Sequence, residues 1–216
     1  VKEKMENLRN SEDFKDINIK TKVVIGNPFV EITEDIVKTE TDLVIMGTNG
    51  SDGAEKLFVG SNAERVIRTA SCPVLTIKSK TNLDQIKNII FASDFKEPGE
   101  GIVAYIKEAQ SIFQAKLSLV IINTPNSFTT SRQDFDVMNS FAKERGLENF
   151  TVDIYNDFSE ENGIIDFSQD IGADMIALGT RGRTGVRHML SGSIAEDVAN
   201  HSNLPVWTFK IDKDSR

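Results

Sequence analysis

The sequence predicts an α/β fold, a doubly wound parallel sheet present as two tandem copies, the first of them partial. Short apolar runs alternate with segments of helical period, and in the second half strand and helix alternate five times. Two glycine loops, Gly47-Thr48-Asn49-Gly50 and Gly179-Thr180-Arg181-Gly182, each follow an apolar run. Nine residues after each comes a glycine–serine pair, Gly60-Ser61 and Gly192-Ser193, with Glu64 or Glu196 three positions on. The loops are offset by 132 residues (179 − 47), and this duplication sets the domain count.

The first half begins with a polar surface helix over residues 1–12, with Met5 and Leu8 on one side. Ile17 to Ile25 alternates apolar and polar residues, which predicts a half-buried strand. Gly26-Asn27-Pro28 is a turn, and Phe29 to Thr39 is a helix with Ile32, Ile36 and Val37 inward. Asp42 to Met46 reads as a short central strand leading to the first glycine loop. Ala63, Val66, Ile67 and Ala70 stripe the next helix, and Pro73 to Ile77 closes the half as a strand. The stretch from Lys78 to Asp84 is polar, and residues 80–85 form the expected linker between domains at 1–79 and 86–213.

The second half has every element. Lys87 to Ala92 is a buried strand ending at Ser93-Asp94, followed by a loop at Glu97-Pro98-Gly99. A helix from about Glu100 carries Ile102, Ile106, Ala109 and Phe113 on one face. Leu117 to Ile122 is the next strand. Ser131 to Arg145 is a helix with Phe135, Met138 and Ala142 inward, stopped at Gly146. Phe150, Val152 and Ile154 alternate as an edge strand should; Ile164 to Ile171 is a helix stopped by Gly172, and Asp174 to Leu178 reaches the second loop. A helix from near Ser193 and the strand Val206–Phe209 finish the chain.

Set against the second half, the first lacks counterparts of Lys87–Asp94, the helix after it, and Leu117–Ile122. Without them a strand at Ile17–Ile25 has no neighbour for its backbone groups, so the sequence reads as the remainder of a protein longer by about 60–75 residues.

Composition narrows the function. The 216 residues are 39% hydrophobic, enough for ordinary cores, and no apolar run approaches a membrane span. A net charge of −8 argues against nucleic acid or anionic membrane as partner. The lone cysteine, Cys72, excludes an internal disulfide and fits a reducing cytosol, and its place before Pro73 suits a buried structural thiol. No signal peptide is visible, although a chain beginning with Val1 says little on that point. Walker, G-x-G-x-x-G and G-x-S-x-G patterns are absent, and His188 and His201 do not make a transition-metal site.

A glycine loop between a strand and a helix start is suited to phosphate, because backbone N–H groups come close and the helix dipole favours an anion. Ser193 with Glu196 forms a capping-box pattern. Between Gly179 and Gly192 lie Arg181, Arg183 and Arg187 with no acid, a local charge of +3; between Gly47 and Gly60 lie Asp52, Glu55 and Lys56, a charge of −1. Polyphosphate favours the second copy.

The G-x2-G-x9-G-S spacing, followed by a helix and then Cys72-Pro73-Val74-Leu75 or Leu204-Pro205-Val206-Trp207, resembles the universal stress protein family over nearly the whole chain. The resemblance implies the adenine nucleotide alpha hydrolase-like sheet of five strands in order 3-2-1-4-5. It implies an adenine nucleotide, ATP or a relative, held in the second copy. Asp94 would lie near ribose and Mg²⁺, and the Ile122 backbone would meet adenine. Gly179, Gly182, Gly192, Ser193 and Ile194 would hold ribose and phosphates, with Arg181 and Arg183 assisting. Gly47, Gly50, Gly60 and Ser61 are the weaker first-copy site. Taken without the family, Asp94 is a turn residue and the arginines are solvated charges.

The resemblance further implies that Val74–Ile77 and Val206–Phe209 pair antiparallel within the chain, in a cytoplasmic homo-oligomer. The expected role is a stress or signalling module rather than a fast enzyme, since no base or water-positioning group is visible beside the loop. A nucleotide-free dimerising module and a slow nucleotide hydrolase are the alternatives.

Overall fold

The computed structural model describes residues 2–47, 61–95, 100–180 and 194–210. Seven helices and seven strands follow one another there. They are α1 (Lys2–Arg9), α2 (Pro28–Lys38), β1 (Val44–Gly47), α3 (Ser61–Thr69), β2 (Val74–Ile77), β3 (Asn88–Ala92) and α4 (Glu100–Phe113). Then come β4 (Lys116–Asn123), α5 (Ser131–Glu144), β5 (Phe150–Asn156), α6 (Glu160–Asp170), β6 (Met175–Thr180), α7 (Ile194–His201) and β7 (Val206–Lys210).

Among the described residues the strands form one sheet in the order β1-β2-β7-β6-β3-β4-β5. From β5 to β7 this is the 3-2-1-4-5 order, and every pair in it is parallel. β1 and β2 are parallel too, and β2 meets β7 antiparallel, with Leu75 opposite Trp207.

Strands β3, β4 and β6 form because their residues are apolar on both faces, as a doubly covered sheet requires. Alternate residues feed two cores. Ile90, Val120, Ile122 and Ile176 lie on the face covered by α2, α3, α6 and α7. Phe91, Leu119, Ala177, Leu75 and Trp207 lie on the face covered by α4 and α5. Helix ends follow local chemistry. Thr130 and Gln133 form a capping box on α5, Ser159 caps α6 and Asn27 caps α2 ahead of Pro28. Gly146 and Gly172 stop α5 and α6 at φ of +58° and +63°.

Four expectations are corrected. Ile17–Ile25 is not a strand: Ile17, Val23, Val24 and Ile25 are exposed, and among the described residues no strand pairs with them. The strand before the first loop is at the edge of the sheet, not its centre, and alternates between half-buried and exposed. Val37 points outward, since the buried stripe of α2 centres on Ile36. Phe135 is exposed while Asp134 is buried, because donors from Thr129 and Asn123 meet the carboxylate.

Candidate functional site

The candidate site lies where three parallel strands end side by side. Ala92 of β3 sits between Val120 of β4 and Leu178 of β6. Two residues further along the three chains come Asp94, Ile122 and Thr180. Strand order reverses between β3 and β6: the chain leaves β3 toward β4 and returns on its other side as β6. In an open α/β sheet a crevice forms at the carboxyl ends beside such a reversal, because the two following connections cross to opposite faces.

Local packing fixes how Asp94 is presented. Phe95 adopts φ of +52°, a left-handed conformation unusual for an aromatic residue. Its ring is buried edge-on against Phe91 (5.4 Å) and Phe141 (5.1 Å), and its N–H donates to Ser93 Oγ at 3.2 Å. This anchor holds the strained turn, so Asp94 is exposed just past the end of β3 while its neighbour is locked into the core.

The β4 side is stiffened from beneath. Asn123 and Asp134 are 4% and 3% exposed. Asp134 accepts from Thr129 Oγ1 at 2.5 Å and from Asn123 Nδ2 at 3.2 Å, and Asn123 Oδ1 accepts from Thr129 N–H at 3.3 Å. Thr124 Oγ1 donates to Glu160 Oε1 at 3.2 Å. The loop after Ile122 is thus tied to α5 and α6. Gly163 of α6 lies so close that an added Cβ would stand 2.4 Å from Ile122 Cγ2. On the β6 side, Thr180 Oγ1 donates to the Phe209 carbonyl at 3.3 Å, binding the end of β6 to β7.

Of the residues the sequence points to, Ile122 and Gly179 lie on β4 and β6, Asp94 follows the end of β3 between them, and Ile194 is the first residue of α7. Arg181, Gly182, Arg183, Gly192 and Ser193 lie outside the described residues, as do Arg187 and His188. In the first copy Gly47 ends β1 and Ser61 starts α3, whereas Gly50 and Gly60 lie outside the described residues. No strand beside β1 supplies a counterpart of Asp94 or Ile122 among the described residues. Sequence reasoning passed over Phe95, Asn123, Asp134 and Gly163. A buried carboxylate flanked by helix residues carries no periodic signal, and its donors come from another element.

Glu196, three residues after Ser193, is 3% exposed, and both its oxygens accept from Arg68 of α3, one of them from Nε at 3.0 Å. Reciprocally, Glu64 of α3 accepts from Asn200 Nδ2 of α7 at 3.0 Å. His201, at the end of α7, pairs with Glu161. No group of three or more His, Cys, Asp or Glu suited to a metal exists among the described residues.

Comparison with known proteins yields one family. The model of the universal stress protein family matches residues 1–78 and 143–210. The chain is 47% identical over 62 residues to a universal stress protein of Methanocaldococcus jannaschii, covering 29% of this chain and 36% of that protein. It is 22% identical over 183 residues to one of Synechocystis, covering 84% and 62% respectively. It superposes with a TM-score of 0.73 on the crystal structure of a universal stress protein from Archaeoglobus fulgidus. That match covers 99% of this chain and 78% of the other at 24% identity. The chain thus spans between about a third and three fifths of the length of these two curated relatives.

Proposed function

The chain belongs to the universal stress protein family, and from that premise we propose that it binds ATP or a related adenine nucleotide beside Asp94, in the second copy of its repeat. The observation that carries this reading is the convergence of Asp94, Ile122 and Gly179–Thr180 at the ends of three adjacent strands, where strand order reverses.

In this reading the Ile122 backbone meets adenine and Asp94 faces ribose. The residues from Gly179 through Gly182 and from Gly192 through Ile194 cradle the phosphates by backbone N–H groups. Arg181 and Arg183 add charge in a stretch that carries +3. An exposed single carboxylate such as Asp94 suits Mg²⁺, which takes one or two protein carboxylates and completes its shell with phosphate and water. Mg²⁺ would neutralise phosphate charge there.

The domain boundaries 1–79 and 86–213 belong to the same reading, with Gly47, Gly50, Gly60 and Ser61 of the first copy as the weaker site. The protein acts as a nucleotide-responsive stress module in the cytoplasm, as a homo-oligomer, and turns over nucleotide slowly if at all.

The test is mass spectrometry of the small molecule that co-purifies with the chain, followed by calorimetry with ATP and AMP. An adenine nucleotide is expected in the wild type and absent from Gly192→Val, whose side chain blocks backbone approach to phosphate. Asp94→Ala should weaken binding about tenfold or more, since it removes a charge-assisted contact. No nucleotide bound before or after titration would leave the dimerising module as the better account.

A further inference from the structure

Two residues into α7 stands Glu196, in the first turn of the helix that follows the second glycine loop. A carboxylate there suits the positive end of a bare helix, but it competes with any anion brought to the same end. Glu196 is 3% exposed, so water screens it little. Asp197, the other acid of that turn, is drawn toward its neutral form by burial and, after that, by Glu161 and Glu196. It is the charge of Glu196 that has to be met.

The first copy meets it. Arg68, in the last turn of α3, donates to both Glu196 oxygens, and the paired charges cancel. At the far end of α7, Lys78 donates to the Asn200 carbonyl, placing a cation where the helix dipole favours one. The reciprocal contact has other chemistry. Under the 132-residue offset Glu64 corresponds to Glu196, and Asn200 to Arg68. Glu64 stands in the first turn of α3 and accepts from Asn200 Nδ2 at 3.0 Å. An amide satisfies the hydrogen bond without cancelling the charge. The start of α7 is thus the better place for an anion, the same bias as the loop charges of +3 and −1.

On the nucleotide reading above, we propose that Arg68 of the first copy is a positioning residue for the phosphates held in the second. It touches no ligand. By neutralising Glu196 it leaves the positive end of α7 to the phosphate chain, and it fixes the start of that helix against α3. Losing Arg68 restores a buried negative charge, and every phosphate charge brought near meets the same repulsion. The loss of affinity therefore grows with the charge of the ligand.

The experiment is calorimetry of the full chain with ATP and with AMP. Arg68→Ala is expected to weaken ATP about tenfold or more, and AMP by at least about threefold less than that. Adding Glu196→Gln, which removes the charge with little change of shape, should return ATP to within about threefold of wild type. Equal losses for the two nucleotides overturn the proposal, because the role is then structural only. Unchanged ATP affinity in Arg68→Ala also overturns it, while leaving the nucleotide reading standing. A wild type that takes up neither nucleotide overturns both. Should Arg68→Ala fail to fold, Glu196→Gln alone and combined with Arg68→Ala decide the matter. ATP affinities within about threefold of each other in those two variants support the proposal. A larger further loss means that Arg68 holds phosphate itself, and overturns it.

Discussion

Single residues in this chain show how little room the candidate site has to move. Gly163→Ala would place Cβ 2.4 Å from a methyl of buried Ile122 and 3.0 Å from Asp157 Cβ. A branched side chain seated in the core cannot swing away, so the substitution should cost about 1–3 kcal/mol, read from denaturant unfolding. If the Ile122 backbone meets a base, the same variant should weaken nucleotide binding, while Ile45→Asp, remote from the site, should not. Asp197 offers a pH test. Burial is the main reason its carboxyl is held above the ordinary range. Glu161, Glu196 and Glu64 add to the effect, and His201 opposes it. The folded chain therefore holds this proton more tightly than the unfolded chain, and stability is lost as pH rises through the folded pKa. Asp197→Asn should raise the Tm at neutral pH, with the gain vanishing near pH 3, where both states are protonated.

At the scale of elements, the antiparallel pair α3 and α7 is the informative one. Glu64 and Glu196 occupy equivalent positions of the two helices, as do Arg68 and Asn200, and each acid engages the other helix. Arg68→Ala leaves the Glu196 carboxylate buried without its main partner and should cost about 2 kcal/mol. Adding Glu196→Gln should recover more than half of that in a double-mutant cycle. None of this was legible in the sequence, where Glu196 reads as the acid of a capping box and Arg68 lies 128 residues away. What was legible followed from period and composition: Ile89-Ile90-Phe91 as a strand covered on both faces, the α3 stripe, and the glycine stops. Residues 17–25 show the limit of such patterns. Their alternation is that of β5, yet a strand needs a neighbour, and among the described residues no strand pairs with them. Asp134 against Phe135 is a similar case, decided by donors that only the folded chain brings near.

For the whole molecule, the join between β2 and β7 matters most. It makes one sheet of both copies, with Leu75 and Trp207 both 1% exposed across it. Trp207 is the single tryptophan, set edge-on to Phe113 at 6.0 Å, so its emission reports on the join. With the sheet and both cores continuous across that join, fluorescence and far-ultraviolet dichroism should give coincident unfolding transitions. A separate early fluorescence change would mean that the copies part before they melt.

Because the join is antiparallel, the carboxyl ends of β1 and β6 open toward opposite poles. Whatever docks at one pole is screened by the full length of the strands from whatever docks at the other.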